Sequence, residues 1–462
     1  VSSASSSSGQ DGVAPLADGP APQPPSNPAG GSGRAEGSRR GGQAPAAPDV
    51  TAGSGAAGGL FGHRDFRLAF AAAAVSKLGT QISYLAVPLL AVTTLHASPG
   101  ELGVLNALST IAFLLIGLPA GAWVDRTRQR RLQIVTDLVR AALLLSVPLA
   151  WWAGALTLWQ LYVVVLFTGV ATVFFDVANQ SFLPHLVGRD RLAEANARLV
   201  SLDAANQVAG RSLGGYLVQL LTAPLAIALD AITYVWSAVC LILIRTSDPV
   251  PARRPGRRLY QEIGEGLRFV FGDRLLNPLV LEAGLTNFAI QVYVTMLPVL
   301  FVRELGLSEG ALGFFLALGG VGVFLGSMLA RPLSARLGDA RVMWVMGPLI
   351  APAGFLVPLA DHGPGVWLAG AAWLVITAKA GVDNVLKVSF RQRITPDHLL
   401  GRMNATFRFL MFGALALGAL LAGALGELAG VRAAMWAGSA VLAAGWLRLF
   451  FSPLRSMREL PA

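Results

Sequence analysis

Charged residues are scarce along this chain. They make up 13% of its 462 residues, against 54% hydrophobic ones. A soluble domain carries roughly 25% charged residues, so a deficit spread over the whole length excludes a soluble globular fold and points to a polytopic membrane protein. Cysteine is almost absent. The single thiol, Cys240, lies in an apolar run, which excludes a disulfide framework and a thiolate metal site. His63, His96, His185, His362 and His398 fall in or near loops without His-Glu-x-x-His spacing; they read as solvated loop residues, and no metal is expected. The apolar runs hold no paired nucleophile and base, against a membrane-embedded enzyme, and no soluble sensor domain is appended. The first stretch of Ser, Gly, Ala and Pro lacks the apolar core of a signal peptide, so no cleavage is expected. It cannot bury enough surface to order itself, and residues 1–62 are expected to be a disordered tail.

What is abundant is apolar sequence. About twelve runs, the first centred near Gln81 and the last near Val441, approach the ~20 residues that a helix needs to cross a bilayer. The loops between them alternate in charge. Residues 63–67, 126–131, 189–198, 253–274, 331–341, 391–402 and 448–458 are basic, whereas the intervening loops contribute only Arg303 and Arg432. Lys and Arg favour the cytoplasmic side. Both termini are therefore expected in the cytoplasm, with an even number of spans in the cell membrane. The net charge of +10 reads as a topology signal, and no nucleic-acid partner is expected. Trp151, Trp152, Trp159, Trp367 and Trp436 suit interfacial anchors; Trp236 and Trp373 lie deeper and suit either packing or contact with substrate.

The expected organisation is a first half over residues 63–247, a linker over 248–274, a second half over 275–452 and a short tail over 453–462. In the linker, Leu259, Ile263, Leu267, Val270 and Phe271 share one helical face, which predicts an amphipathic helix on the inner membrane surface. The halves are copies. Gln81, Pro88, Leu95, Ser98, Gly100 and Gly103 recur as Gln291, Pro298, Leu305, Ser308, Gly310 and Gly313. Farther on, Asn196, Gly210 and Gly215 recur as Asn404, Gly418 and Gly423. Six spans repeated in one orientation make a parallel repeat.

Between the second and third runs stands Gly121-Ala-Trp-Val-Asp125-Arg126-Thr-Arg128-Gln-Arg130-Arg131. It resembles the signature between spans 2 and 3 of the major facilitator superfamily, Gly-x-x-x-Asp-Arg/Lys-x-Gly-x-Arg/Lys-Arg/Lys. Gly121, Asp125, Arg126, Arg130 and Arg131 match, and Arg128 stands where the pattern has Gly. Phe175-Asp176 through Ser181-Phe182-Leu183-Pro184, Leu192-Ala193-Glu194-Ala195-Asn196 and Glu262-Ile263-x-x-Gly266-Leu267-Arg268-Phe269 are similar to the branch holding enterobactin exporters and macrolide-efflux proteins. Gly210-Arg211-x-x-Gly214-Gly215 is similar to the span-5 signature of drug exporters, with Arg211 in place of Pro. The resemblance implies an all-α membrane protein with twelve transmembrane helices in two pseudo-symmetric six-helix halves. It also implies a conformational latch at Gly121, Asp125, Arg126, Arg130 and Arg131. Asp125 would sit near the N-terminus of span 11, around Arg402 and Asn404, and Arg126 would reach an acid such as Asp176.

An ionisable group inside a span costs ~2.5–3.5 kcal/mol on insertion scales and usually faces the bundle interior with a partner or a task. In the family, spans 1, 4, 7 and 10 line the cavity. Here they hold Lys77, Gln81, Tyr84; Asp176, Asn179; Glu282, Asn287, Gln291; and Lys379, Asp383, Asn384, Lys387. The i, i+4, i+8 spacing of Lys379, Asp383 and Lys387 also suits an ion-pair ladder, with Lys387 snorkelling to the interface. Span 5 carries Asp203, Gln207 and Arg211 along one face, beside Gly210, Gly214 and Gly215, whose small size suits close helix packing. Their counterparts Met411, Leu415 and Ala419 are apolar, so the scaffold does not require charge there, and Arg211 is placed to pair with Asp230. Asp203, Asp176 and Asp383, in that order, are the candidates for proton coupling. Lys77, Gln81, Tyr84, Asn179, Gln207, Arg211, Glu282, Asn287, Gln291, Lys379 and Asn384 are the candidates for the cavity and substrate.

The expected function is alternating-access export of an amphipathic small molecule, an antibiotic, other natural product or siderophore. It would be driven by the proton gradient with no bound cofactor, by a monomer in the bilayer. Uptake by the same fold is the alternative, and a sensor or an enzyme is the reading from a different class.

Overall fold

The computed structural model describes residues 60–124, 126–188, 190–246 and 259–456. Six helices form the first half: α1 (Arg64–Thr93), α2 (Pro99–Val124), α3 (Gln129–Trp152), α4 (Leu158–Val187), α5 (Leu192–Leu221) and α6 (Ala223–Leu243). After the short helix α7 (Leu259–Gly272), the second half runs through α8 (Leu276–Pro298), α9 (Glu309–Leu337), the broken span α10 (Asp339–Val345) plus α11 (Gly347–Leu356), then α12 (Pro364–Ile394), α13 (Asp397–Ala429) and α14 (Val431–Phe450). Among the described residues eleven helical segments are long and apolar enough to cross a membrane. The twelfth, α5, is as long as α1 but breaks its apolar run with Asp203, Asn206, Gln207 and Arg211.

Sequence signals set the helix ends. Thr157 and Ser308 cap α4 and α9 by accepting from Gln160 N and Ala311 N, which satisfies donors left free at a helix N-terminus. The turn from α13 to α14 is made by Gly430 at φ +92°, and the corresponding turn from α5 to α6 by Thr222 at φ +81°. Only the glycine adopts this conformation without steric cost. The repeat has thus kept a backbone shape whose residue it has lost.

Helix pairing repeats between the halves. In the first, α1 packs on α5 and α6, α2 on α4, and α3 on α4 and α6; in the second, α8 packs on α13 and α14, α9 on α12, and α11 on α12 and α14. The halves meet along α2 with α13 and along α5 with α9, pairs that exchange under the repeat. On α6, Leu225, Leu229, Ile232, Trp236 and Val239 form an exposed apolar stripe, as a lipid-facing side requires. Asp230, Tyr234, Ser237 and Leu241 form the buried stripe opposite. Trp236 is therefore on the outer surface. Trp373 is buried, stacked on Phe315 at 6.2 Å and edge-on to Tyr293, so packing accounts for it.

Two sequence expectations change at the margins. The amphipathic face of α7 docks on the base of α13: a Cβ on Gly266 would run into Thr406 and Arg402, Glu265 pairs with Arg402, and Val270 is buried with Met403 and Phe407. Residues 248–258 of the expected linker, with residue 247 before them, lie outside the described residues. Leu60–Gly62, assigned by sequence to the tail, form a helical turn with Leu60 buried against Phe66 and Phe182, because Leu60 is apolar enough to extend the core. The rest of the expected tail, residues 1–59, lies outside the described residues.

Candidate functional site

The arginine-rich loops share one end of the bundle, here called the basic end. At the other, far end the halves are pressed together through glycine. A Cβ on Gly103 of α2 would stand 2.6 Å from the Cα of Gly423 of α13, and one on Gly215 of α5 would stand 2.8 Å from the Cα of Gly313 of α9. These contacts are images of each other under the repeat, since Gly103 corresponds to Gly313 and Gly215 to Gly423. Polar groups reinforce the seal. Glu427 accepts from Gly100 N at 3.1 Å, and Arg303 donates to Ala97 O at 2.7 Å and Val92 O at 2.8 Å. Toward the basic end the same helices part, and Gly117, Gly121 and Gly401 face open space. Between them lies a cavity of about 730 Å³ lined by Phe113, Val173, Asn404, Arg408 and Phe412, among others. The bundle is thus closed at the far end and open at the basic end.

Charge gathers inside the first half, and Arg408 of α13 brings one charge to the vestibule wall. Lys77 of α1 and Asp203 of α5 form an ion pair with side chains 36% and 40% exposed. Each lies about 16–20 Å along its helix from the basic end at ~1.5 Å per residue, near mid-depth. Asp176 of α4 feels Lys77, Asp203 and Arg140 of its own half and Arg408 of α13 across the interface. Asp176 is thus within electrostatic reach of Lys77 and, across the interface, of Arg408. The chain has only three lysines, Lys77, Lys379 and Lys387, and all three pair with carboxylates inside the bundle. Lysine presents a compact charge that responds strongly to burial, whereas arginine stays charged in nearly any surrounding.

The other two lysines form a closed ring. Lys379 and Lys387 of α12 each bridge Glu282 of α8 and Asp383 of their own helix, with distances to Asp383 of 2.6 and 2.8 Å. Glu282 also accepts from Thr286 at 3.2 Å. The side chains of Lys379 and Glu282 are 4% and 2% exposed, which contrasts with the open pair of the first half. Lys387, expected at the interface, is buried and bonded, because Glu282 offers it a carboxylate at its own depth. Two cations and two anions in mutual contact satisfy each other, which is the condition for burying charge.

The remaining candidates separate into groups. Gln81 accepts from Arg211 at 3.4 Å, and the Arg211 guanidinium lies 5.4 Å from the centre of the Tyr84 ring. The expected pairing of Arg211 with Asp230 is not made: Asp230 turns into the first half, where Thr233 donates to it at 3.1 Å. Gly210 and Gly214 pack on α1 at Gln81 and Ile82, while Gly215 serves the far-end seal. Asn179 lines a small pocket with Lys77, Asn384 is exposed, and Gln207 is half-buried. Glu282, Gln291 and Lys379 are buried and do not line the open vestibule. Asn287 donates to Ala283 O at 2.9 Å. Of the latch, Arg130 donates to the carbonyls of Ile244 and Thr246 at the end of α6, and Asp65 accepts from the amides of Arg245 and Thr246. Gly121 makes no close approach, and Asp125 lies outside the described residues.

Sequence reasoning missed Arg408 and the pair Asp137 and Arg140 of α3. Arg140 is buried between the Phe175 and Tyr234 rings at 4.4 and 4.2 Å and bonded to Asp137. An acid and an arginine at i, i+3 within an apolar run were the available signal.

A family model described as a transmembrane secretion effector matches residues 58–461. The multidrug efflux pump Tap of Mycolicibacterium fortuitum is 26% identical over 408 residues, covering 84% of this chain and 95% of Tap. The enterobactin exporter EntS of Shigella boydii serotype 18 is 24% identical over 405 residues, covering 86% and 94%. The inward-facing crystal structure of a bacterial homologue of the iron transporter ferroportin superposes with a TM-score of 0.67 at 16% identity, covering 85% of this chain and 99% of that one. With two six-helix halves related by repeat and a vestibule between them, the chain belongs to the transmembrane secretion effector family of major facilitator transporters.

Proposed function

We propose that this transporter exports an amphipathic small molecule across the cell membrane in exchange for protons, with both termini in the cytoplasm and the vestibule open to it. The Lys77–Asp203 pair carries the reading: a partly exposed carboxylate at mid-depth, with a second acid within electrostatic reach of the same lysine. The arginines of the basic end support the orientation, and the printed descriptions of Tap and EntS as an efflux pump and an exporter support the direction.

The charges supply a cycle. With Lys77 on Asp203 and Arg408 near Asp176, the arrangement of this open structure, the basic end is poised to close by drawing Arg408 to Asp176 once substrate has entered. A proton arriving from the far side neutralises Asp203 and frees Lys77 from it. Lys77 then turns to Asp176, Arg408 is released, and the basic end opens. Proton loss to the cytoplasm and substrate entry reset the arrangement. Proton entry thus favours the state that reloads substrate, which is exchange rather than co-transport.

The test is purified protein in proteoliposomes, with ethidium as substrate and an imposed pH gradient. Asp203→Asn should abolish gradient-driven accumulation while exchange of labelled for unlabelled substrate continues. Undiminished uphill transport by that variant would refute the reading.

A further inference from the structure

A second cavity lies wholly inside the first half. Its volume is about 770 Å³, and α1, α2, α3, α4 and α6 all contribute to it. It occupies the half of these helices toward the far end, so it is separate from the vestibule. One side chain joins them. Phe113 lines both spaces and stacks on Phe412 of the opposite half at 4.3 Å and 10°, as a partition between vestibule and pocket.

The walls are apolar, but they hold buried polar groups: Asp230, 1% exposed, with Ser83 beside it across α1 and α6, and Thr168, whose Oγ1 makes no hydrogen bond. A buried polar group without its full set of partners is costly, so a carboxyl and an unpartnered hydroxyl on one pocket mark a place where an absent donor would be favourable. The sign of that group follows from the charges nearby. Arg140 feels Asp230 but is committed to Asp137 and to two aromatic faces. When ionised, Asp230 therefore carries a charge that Arg140, held by Asp137, does not balance. Arg211 lies over Tyr84 at the rim, outside this group.

We propose that this pocket is a binding subsite for an organic cation carrying an ammonium N–H, which donates to Asp230 while an apolar or aromatic body rests against Tyr84, Leu105 and Phe113. The inference deepens the export reading and rests on it for the claim that the bound molecule is cargo; the binding itself stands apart.

The test is equilibrium binding to purified protein in lipid nanodiscs. The probe is monodansylcadaverine, a dansyl fluorophore with a primary ammonium; its neutral counterpart is N-butyl dansylamide. The intact protein should prefer the cationic probe by at least tenfold. Asp230→Asn should remove that preference without changing affinity for the neutral probe, and Ser109→Phe, which fills the pocket and leaves Asp230 in place, should weaken both. Equal binding of the two probes by the intact protein, or an undiminished preference in Asp230→Asn, would overturn the proposal. If Asp230→Asn does not fold, Ser109→Phe decides, and unchanged cation affinity in that variant overturns it. Because the readout is binding, gradient-driven export that persists without this preference would leave the export reading standing and remove only the subsite.

Discussion

Asn287 donates to the sulfur of Met411 at 3.3 Å, in the place where, one repeat earlier, Lys77 pairs with Asp203. The two helix pairs, α8 with α13 and α1 with α5, are packed alike: Gly418 abuts Phe288 and Gln291 as Gly210 abuts Leu78 and Gln81. One half therefore holds a neutral contact, and the other holds an ion pair, in a common frame. The second half serves as an internal control, showing that the scaffold closes without charge at this site.

The double variant Lys77→Asn with Asp203→Met copies that control. It should insert and purify with a thermal midpoint close to that of the unaltered protein, since neither charge is needed for packing. The single variant Asp203→Met should be the less stable of the two, because it leaves Lys77 with one fewer counter-charge. Both should fail to accumulate substrate against a pH gradient. Uphill transport by the double variant at the original rate would mean that the pair plays no part in coupling.

The ring of Glu282, Lys379, Asp383 and Lys387 behaves differently because it is closed. Removing one member of a buried ion group leaves uncompensated charge and costs ~3–5 kcal/mol. Glu282→Gln leaves two lysines with one carboxylate, so a marked fall in the unfolding temperature of the detergent-purified protein is expected. Adding Lys379→Met should recover much of the loss by restoring charge balance. If Glu282→Gln is as stable as the original, the ring is not a structural tie.

The glycine contacts at the far end define which end is shut. Gly103→Leu places a side chain where a Cβ alone would reach the backbone of Gly423, and Gly215→Leu does the same at Gly313. Helices that approach through small residues lose that approach when one is enlarged. Each variant should expose far-end positions to a membrane-impermeant thiol reagent, read on an added cysteine at Ser98 in a Cys240→Ser background. Transport should fall at least tenfold. Labelling at the level of the unaltered glycines would show that the seal lies elsewhere.

Long apolar runs and the repeat made twelve spans and two halves legible in the sequence, since both patterns survive in residue types alone. The ionisable candidates were legible for the same reason: Lys77, Asp203, Glu282 and Lys379 stand out against hydrocarbon. Within α12 the spacing also gave the pairing of Asp383 with Lys379 and Lys387; partners on other helices were not legible, because that pairing depends on rotation of one helix against another. Arg211 and Asp230 lie on neighbouring spans, yet each turns to a different neighbour. Lys387 near a helix end looked free to snorkel, and Glu282 on α8 could not be aligned with it by spacing within α12. Arg408 went unnoticed near a basic loop, where one more arginine carries little information. The pocket at Asp230 is assembled from five helices, and no local motif encodes it.

The turn between α5 and α6 offers a test of the repeat as a guide to stability. Thr222 sits at φ +81° and ψ +155°, and its counterpart Gly430 at φ +92° and ψ +160°. A β-branched residue with positive φ is held there against a steric cost of order 1–3 kcal/mol. Thr222 is exposed and leaves α6 without a side-chain cap, so its replacement sacrifices little contact. Thr222→Gly releases the strain, although glycine also gains freedom in the unfolded chain, which offsets up to about 1 kcal/mol. A raised unfolding temperature with transport unchanged is expected. Gly430→Thr, the reverse exchange, should lower it. Equal midpoints for both variants and the unaltered protein would mean that the strained turn is relaxed at no cost by its neighbours.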